Sequence, residues 1–180
     1  MLNDIFQKAM GFLQQPAKAY DKEKGTDVIE AFKYMAILFL IVSVLSAIIS
    51  LNPLTFITIY IFGIVGAVIA GLWLHLWAYV FGAKKGLHQT LKTVFYGGTP
   101  SYLLGWIPYI GILFWLWSLY LDWTGLQKLH GMPGDRAALS ILIAFIVPMI
   151  ILAVLALMAL SFLVPFMAEY GGPQGFQMPY

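Results

Sequence analysis

Two ionisable side chains, His75 and Asp122, stand inside long apolar runs of this chain. Ser118 lies one helical turn before Asp122, and Tyr79 one turn after His75. A histidine beside an aspartate is the equipment of a proton relay or of a cation site. Ionisable groups in an apolar medium are usually paired and often functional. Tyr96, one turn before Pro100, offers a further hydroxyl. The spacing therefore predicts an intramembrane polar cluster of His75, Tyr96, Ser118 and Asp122, with His75 meeting Asp122. The plainer reading is an aspartate solvated from one end of its helix and a neutral histidine bonded to a carbonyl. Catalytic signatures are missing: there is no HExxH, no GxSxG and no P-loop. The chain has no cysteine, which removes thiol nucleophiles, thiolate metal sites and disulfides. No catalytic residue, cofactor or metal is expected, and nothing points to nucleic acid.

The elements that must carry these residues follow from composition. Of 180 residues 61% are hydrophobic and 10% charged, against about 25% charged in soluble domains. The medium that suits such a chain is a bilayer, where a spanning helix needs about 20 apolar residues. Residues 34–51, 54–81 and 137–166 meet that requirement, and 93–129 is long enough for two short helices. The expected fold is an all-α polytopic bundle of five transmembrane helices, at roughly 33–51, 54–81, 92–106, 109–128 and 137–166. With five spans all ten Lys and Arg fall on one side. Basic loops stay in the cytoplasm, so the N-terminus is expected inside and the C-terminus outside. A re-entrant pair at 93–129 leaves the same charges on the same side and stays open.

Residues 1–30 read as a cytoplasmic amphipathic helix and a polar connector, 31–166 as the membrane domain, and 167–180 as a flexible tail. In the first segment Leu2, Ile5, Phe6, Ala9, Met10 and Leu13 share one helical face. That face suits either the membrane surface or the cytoplasmic ends of the bundle. The charges of Tyr20–Glu30 are expected to be solvated.

Breakers and small residues mark special positions. Gly97, Gly98 and Pro100 interrupt the third span, Pro108 forms the turn to the fourth, and Pro148 lies within the fifth. A proline frees a backbone carbonyl, and in lipid that group must find a partner inside the protein. The third span is thus expected to be buried, as a close-packed kink or as a hinge lining a cavity. Gly63, Ala67 and Gly71 recur every four residues on the second span, the spacing that lets helices approach closely. Their partner is another helix of this chain or a second copy in a homo-oligomer. Lys84, Lys85 and Lys92 read as a cytoplasmic basic loop facing lipid headgroups.

Several of these positions resemble a known family. Tyr96 four residues before Pro100, the Ile107-Pro108-x-Ile110-Gly111 turn, and Gly125-Leu126 followed by His130-Gly131 and Ala137 are similar to the Yip family of Ypt/Rab-interacting membrane proteins. Pro16, Tyr20 and Ala31 resemble the start of its prokaryotic members. The similarity runs over roughly residues 14–165 and implies five spans with a cytoplasmic N-terminus. Eukaryotic members carry a longer N-terminal region, act in membrane trafficking and bind prenylated small GTPases. The resemblance implies a non-enzymatic scaffold that organises membranes or partner proteins, in the cell membrane for a prokaryotic member or an endomembrane for a eukaryotic one. The other readings are a small transporter or channel with a pathway near His75, Tyr96 and Asp122, and a lipid-handling enzyme.

Overall fold

Helix signals in the sequence place the first long elements. Asp27 accepts the Ile29 N–H at 3.1 Å and starts α3 (Val28–Ser50). Leu51, at φ 51°, ends it in the left-handed conformation. Asn52 then caps α4 (Pro53–Val80) through the Leu54 N–H at 3.0 Å, with Pro53 in the first turn, where its missing N–H costs nothing. A reversal of Leu51, Asn52 and Pro53 thus joins two antiparallel helices.

The computed structural model describes residues 2–107 and 109–170. The chain divides into two units, residues 1–142 and 143–180. Before α3 the first unit holds α1 (Leu2–Gln14) and α2 (Pro16–Glu23). After α4 come α5 (Leu87–Gly97), α6 (Thr99–Leu104), α7 (Gly111–Gly125), a π-helical turn (Leu126–His130) and the start of α8 (Gly134–Tyr170). No strand occurs among the described residues. Helices α3, α4 and α8 are long and apolar enough to cross a membrane. Helix α5 is the centre of the first unit: it packs against α3, α4 and α7, and Lys92 to Pro100 are all buried.

In the second unit α8 runs unbroken through Pro148 and Pro165. Residues 149–167 are exposed on every face, which suits an apolar helix whose solvent is lipid. The expected Pro148 hinge is therefore continuous helix. Residues 167–170, expected in a flexible tail, belong to α8. The rest of that tail and Pro108 lie outside the described residues.

Other boundaries moved for local reasons. The helix expected as the third span begins at Leu87, after Gly86 at φ 83°, and divides at Gly98 into α5 and α6. Residues Pro16–Glu23, partly assigned to a connector, form a helix opened by Pro16. Helix α1 does not rest on its apolar stripe alone: Phe12 and Ala9 are buried, while Phe6 is 65% exposed.

Candidate functional site

The break at Pro100 organises the polar chemistry of the bundle. Proline leaves the Tyr96 carbonyl without its helical donor. The Thr99 hydroxyl donates to that oxygen at 2.6 Å, and Tyr34 donates in turn to Thr99 Oγ1 at 3.0 Å. One turn on, the Ser101 N–H finds Ser118 Oγ at 3.2 Å, and the Ser101 hydroxyl bonds the Gly98 carbonyl at 2.9 Å. The kink is closed by side chains inside the protein, as an apolar surrounding requires.

Glycines around the break admit aromatic rings. A methyl on Gly125 would meet Tyr20 Cζ at 2.8 Å and Thr93 Cγ2 at 2.7 Å. A methyl on Gly97 would strike Asp122 Oδ1 and reach Tyr20 Oη at 3.1 Å. The two glycines thus form a slot between α5 and α7, and Tyr20 of α2 fills it. Its hydroxyl donates to the Thr93 carbonyl at 2.9 Å. Phe12 of α1 stacks on Tyr96 with centroids 4.8 Å apart and meets Tyr20 edge-on at 5.0 Å.

A charged network surrounds this joint. Glu23 accepts from Tyr96 Oη at 2.7 Å and from Lys8 Nζ at 2.9 Å. Burial pushes the Glu23 carboxyl up, but the Lys8 and Tyr96 hydrogen bonds outweigh it and hold the group below its usual value. The Lys8 ammonium also lies 5.4 Å from the Tyr96 ring centroid, within cation–π range. Lys92, almost fully buried, donates to the Thr26 and Lys24 carbonyls at 2.8 and 3.1 Å and fixes the end of α2. Lys128 pairs with Asp21 at 2.8 Å, and the Lys128 and Lys24 hydrogen bonds keep Asp21 below the usual aspartate value.

The expected cluster separates into three places. His75 Nδ1 lies 2.8 Å from Thr90 Oγ1, which lies 2.9 Å from His130 Nε2. Burial, with His75 and Lys85 nearby, pushes His130 down to about 4. Tyr96 is engaged by Glu23. Ser118 and Asp122 line a cavity of about 520 Å³, walled mainly by apolar residues, that His75 and Tyr96 do not touch. The structure does not bring His75 to Asp122, because α5 supplies the contacts of both.

Other expectations also resolve into contacts. The small-residue stripe serves this chain's own helices: a methyl on Gly63 would press on the Phe39 ring at 2.5 Å, and one on Gly71 would meet Leu91 Cδ2 at 2.7 Å. Lys84 and Lys85 are exposed, but Lys92 leaves the basic loop for the interior. There its ammonium bonds the Lys24 and Thr26 carbonyls just after α2. Glu23, read as solvated, is buried for the same kind of reason, since Lys8 and Tyr96 satisfy it. Sequence reasoning missed Phe12, Thr90 and the role of Tyr20. Pro16, a first-turn signal for α2, was the available clue that Tyr20 is carried on a helix.

The joint residues Tyr20, Tyr96, Pro100, Gly125 and His130 are the same positions that carry the family resemblance. The Yip1 domain model matches residues 10–157. The chain belongs to the Yip family. It is a membrane protein of that family, and the match takes in both the N-terminal hairpin from Met10 onward and the helices that receive it. No curated protein and no solved structure matches the chain. Within the Yip1 domain the hairpin and the bundle are one packed unit, since α1 and α2 supply buried core residues alongside α3 and α5.

Proposed function

We propose that this Yip-family chain is a non-enzymatic integral membrane scaffold that presents a rigid cytoplasmic platform to partner proteins. The observation that carries the reading is the locked α1–α2 hairpin. Tyr20 in its glycine slot, Glu23 under Tyr96 and Lys92 under the end of α2 fix the hairpin to the bundle. Between α1 and α2 a polar groove of about 400 Å³ stays open, with Gln7, Gln14, Lys18 and Lys22 on its walls. A rigid surface binds at lower entropic cost than a mobile arm.

The platform reading goes with five crossings, N-terminus inside, in the cell membrane. Helices α5 and α6 together span residues 87–104, about 27 Å at 1.5 Å per residue, near the hydrocarbon thickness of about 30 Å. Helix α7 with its π-helical turn is of similar length. Single cysteines at Asn52, Gly86, Tyr109, Gly134 and Gly175 test the crossings. Gly86 and Gly134 are expected to label from the cytoplasm and the other three from outside. The platform itself is tested by photo-crosslinking from Gln14 in native membranes. One or more discrete protein adducts are expected, lost in Lys18→Glu/Lys22→Glu while the fold is kept. Adducts to lipid alone, unchanged by that double substitution, overturn the reading.

A further inference from the structure

The cavity beside Asp122 has a shape and a chemistry that the platform does not use. Along α7 it runs from Trp115 to Asp122, about 10 Å of helix. Its α4 wall is made of small residues, and a methyl on Gly66 would meet nothing within 4 Å. Phe39, Val42, Ile59 and Leu119 make it apolar, and the half-exposed indoles of Trp106 and Trp115 stand at the end away from Asp122. Its volume of about 520 Å³ falls among small-molecule sites, which are mostly apolar with a few placed polar groups and span about 300–1,000 Å³.

Asp122 is the group left unanswered. Its Oδ1 is buried and has no hydrogen-bond partner among the described residues. The two tyrosine hydroxyls beside it are committed elsewhere: Tyr20 donates to the Thr93 carbonyl and Tyr102 to the Val94 carbonyl at 3.1 Å. The cations that point inward are committed too, Lys92 to carbonyls, Lys8 to Glu23 and Lys128 to Asp21. A buried carboxyl without a partner is costly, and a cation from outside this chain would offset that cost.

We propose that the cavity binds a single-chain membrane amphiphile with a primary ammonium head. The ammonium pairs with Asp122, and the alkyl chain lies along α7 against Gly66 toward Trp115. One chain fits a space of this volume, and the hydroxyl of Ser118, one turn from Asp122, marks the same polar end. A carboxylate head brings no positive charge to Asp122, and an alcohol head offers it only a hydrogen bond.

The test uses the full chain in phosphatidylcholine nanodiscs, with tritiated hexadecylamine as probe and empty nanodiscs subtracted. Saturable one-to-one binding is expected, about tenfold or more tighter than for hexadecanol, with no competition by hexadecanoate. Asp122→Asn is expected to reduce hexadecylamine to the level of hexadecanol. Gly66→Leu, which fills the cavity and leaves Asp122 in place, is expected to abolish binding of both, and Ala70→Leu serves if Gly66→Leu elutes as aggregate. Unchanged amine binding to Asp122→Asn, binding that survives a folded cavity-filling variant, or no saturable binding at all overturns the proposal. None of these variants touches the α1–α2 groove, so the proposal and the platform reading fail separately.

Discussion

Glu23 and Asp122 are both carboxyl groups withdrawn from water, and the molecule treats them in opposite ways. Glu23, under the α1–α2 hairpin, receives a tyrosine hydroxyl and a lysine ammonium. Asp122, between α5 and a cavity, has an oxygen with no donor among the described residues. A satisfied buried charge holds elements together, whereas removing one member of such a set leaves the others exposed to the full desolvation cost. An unsatisfied one contributes nothing to the fold and is kept at a cost. The first region reads as a fastening and the second as a receptor.

Substitutions can break that contrast. The largest loss is expected for Tyr20→Ala, which empties the glycine slot and removes the hydrogen bond to the Thr93 carbonyl. Truncation of a buried aromatic costs about 3–5 kcal/mol, measurable by reversible denaturant titration in mixed micelles. A loss under about 1 kcal/mol means that the hairpin is not fastened there. Glu23→Ala comes next, at about 2–3 kcal/mol, because charge-assisted hydrogen bonds are removed and Tyr96 is left without an acceptor. Asp122→Asn is expected to change stability by less than about 0.5 kcal/mol or to raise it. A large loss there erases the contrast, since it requires a partner that holds the carboxylate.

Acidity sharpens the same comparison with a smaller effect. His130 has a folded value of about 4 against 6.5 for the free side chain. The unfolded chain therefore binds its proton first, and the His130 contribution, complete above pH 6.5, is lost as pH falls toward 4. Glu23 is held below its ordinary value of 4.5, so its contribution is complete above that pH and is lost on further acidification. Tyr96→Phe removes one donor to Glu23 and is expected to shrink this second, more acidic limb while leaving the His130 limb in place. Stability measured between pH 7 and about pH 3 in wild type and Tyr96→Phe separates the two.

Much of the scaffold was legible because its causes are local. Apolar length, Asn52 before Pro53, and the Pro100 break each act within a few residues. Residues Gly97 to Pro100 are buried, where a proline-freed carbonyl can be answered inside the protein. The site was less legible because its contacts join residues far apart in sequence. Tyr96 meets Glu23 across 73 residues and Lys92 meets Thr26 across 66. No periodicity reports such a meeting, so Glu23 and Lys92 read as surface charges. His75 and Asp122 were matched as ionisable groups inside apolar runs, but such runs say nothing of azimuth, and α5 packs against both of their helices.

Helix α5 carries a consequence for how the protein is made. Gln89, Thr90, Lys92 and Thr93 make it too polar to settle into lipid by itself, and the groups that neutralise it come from α2, α4 and the turn after α7. Two of those lie earlier in the chain and one later. The polar partners of α5 are therefore complete only once Leu126–His130 has been made. The centre of the first unit is thus matched by groups made both before it and after it.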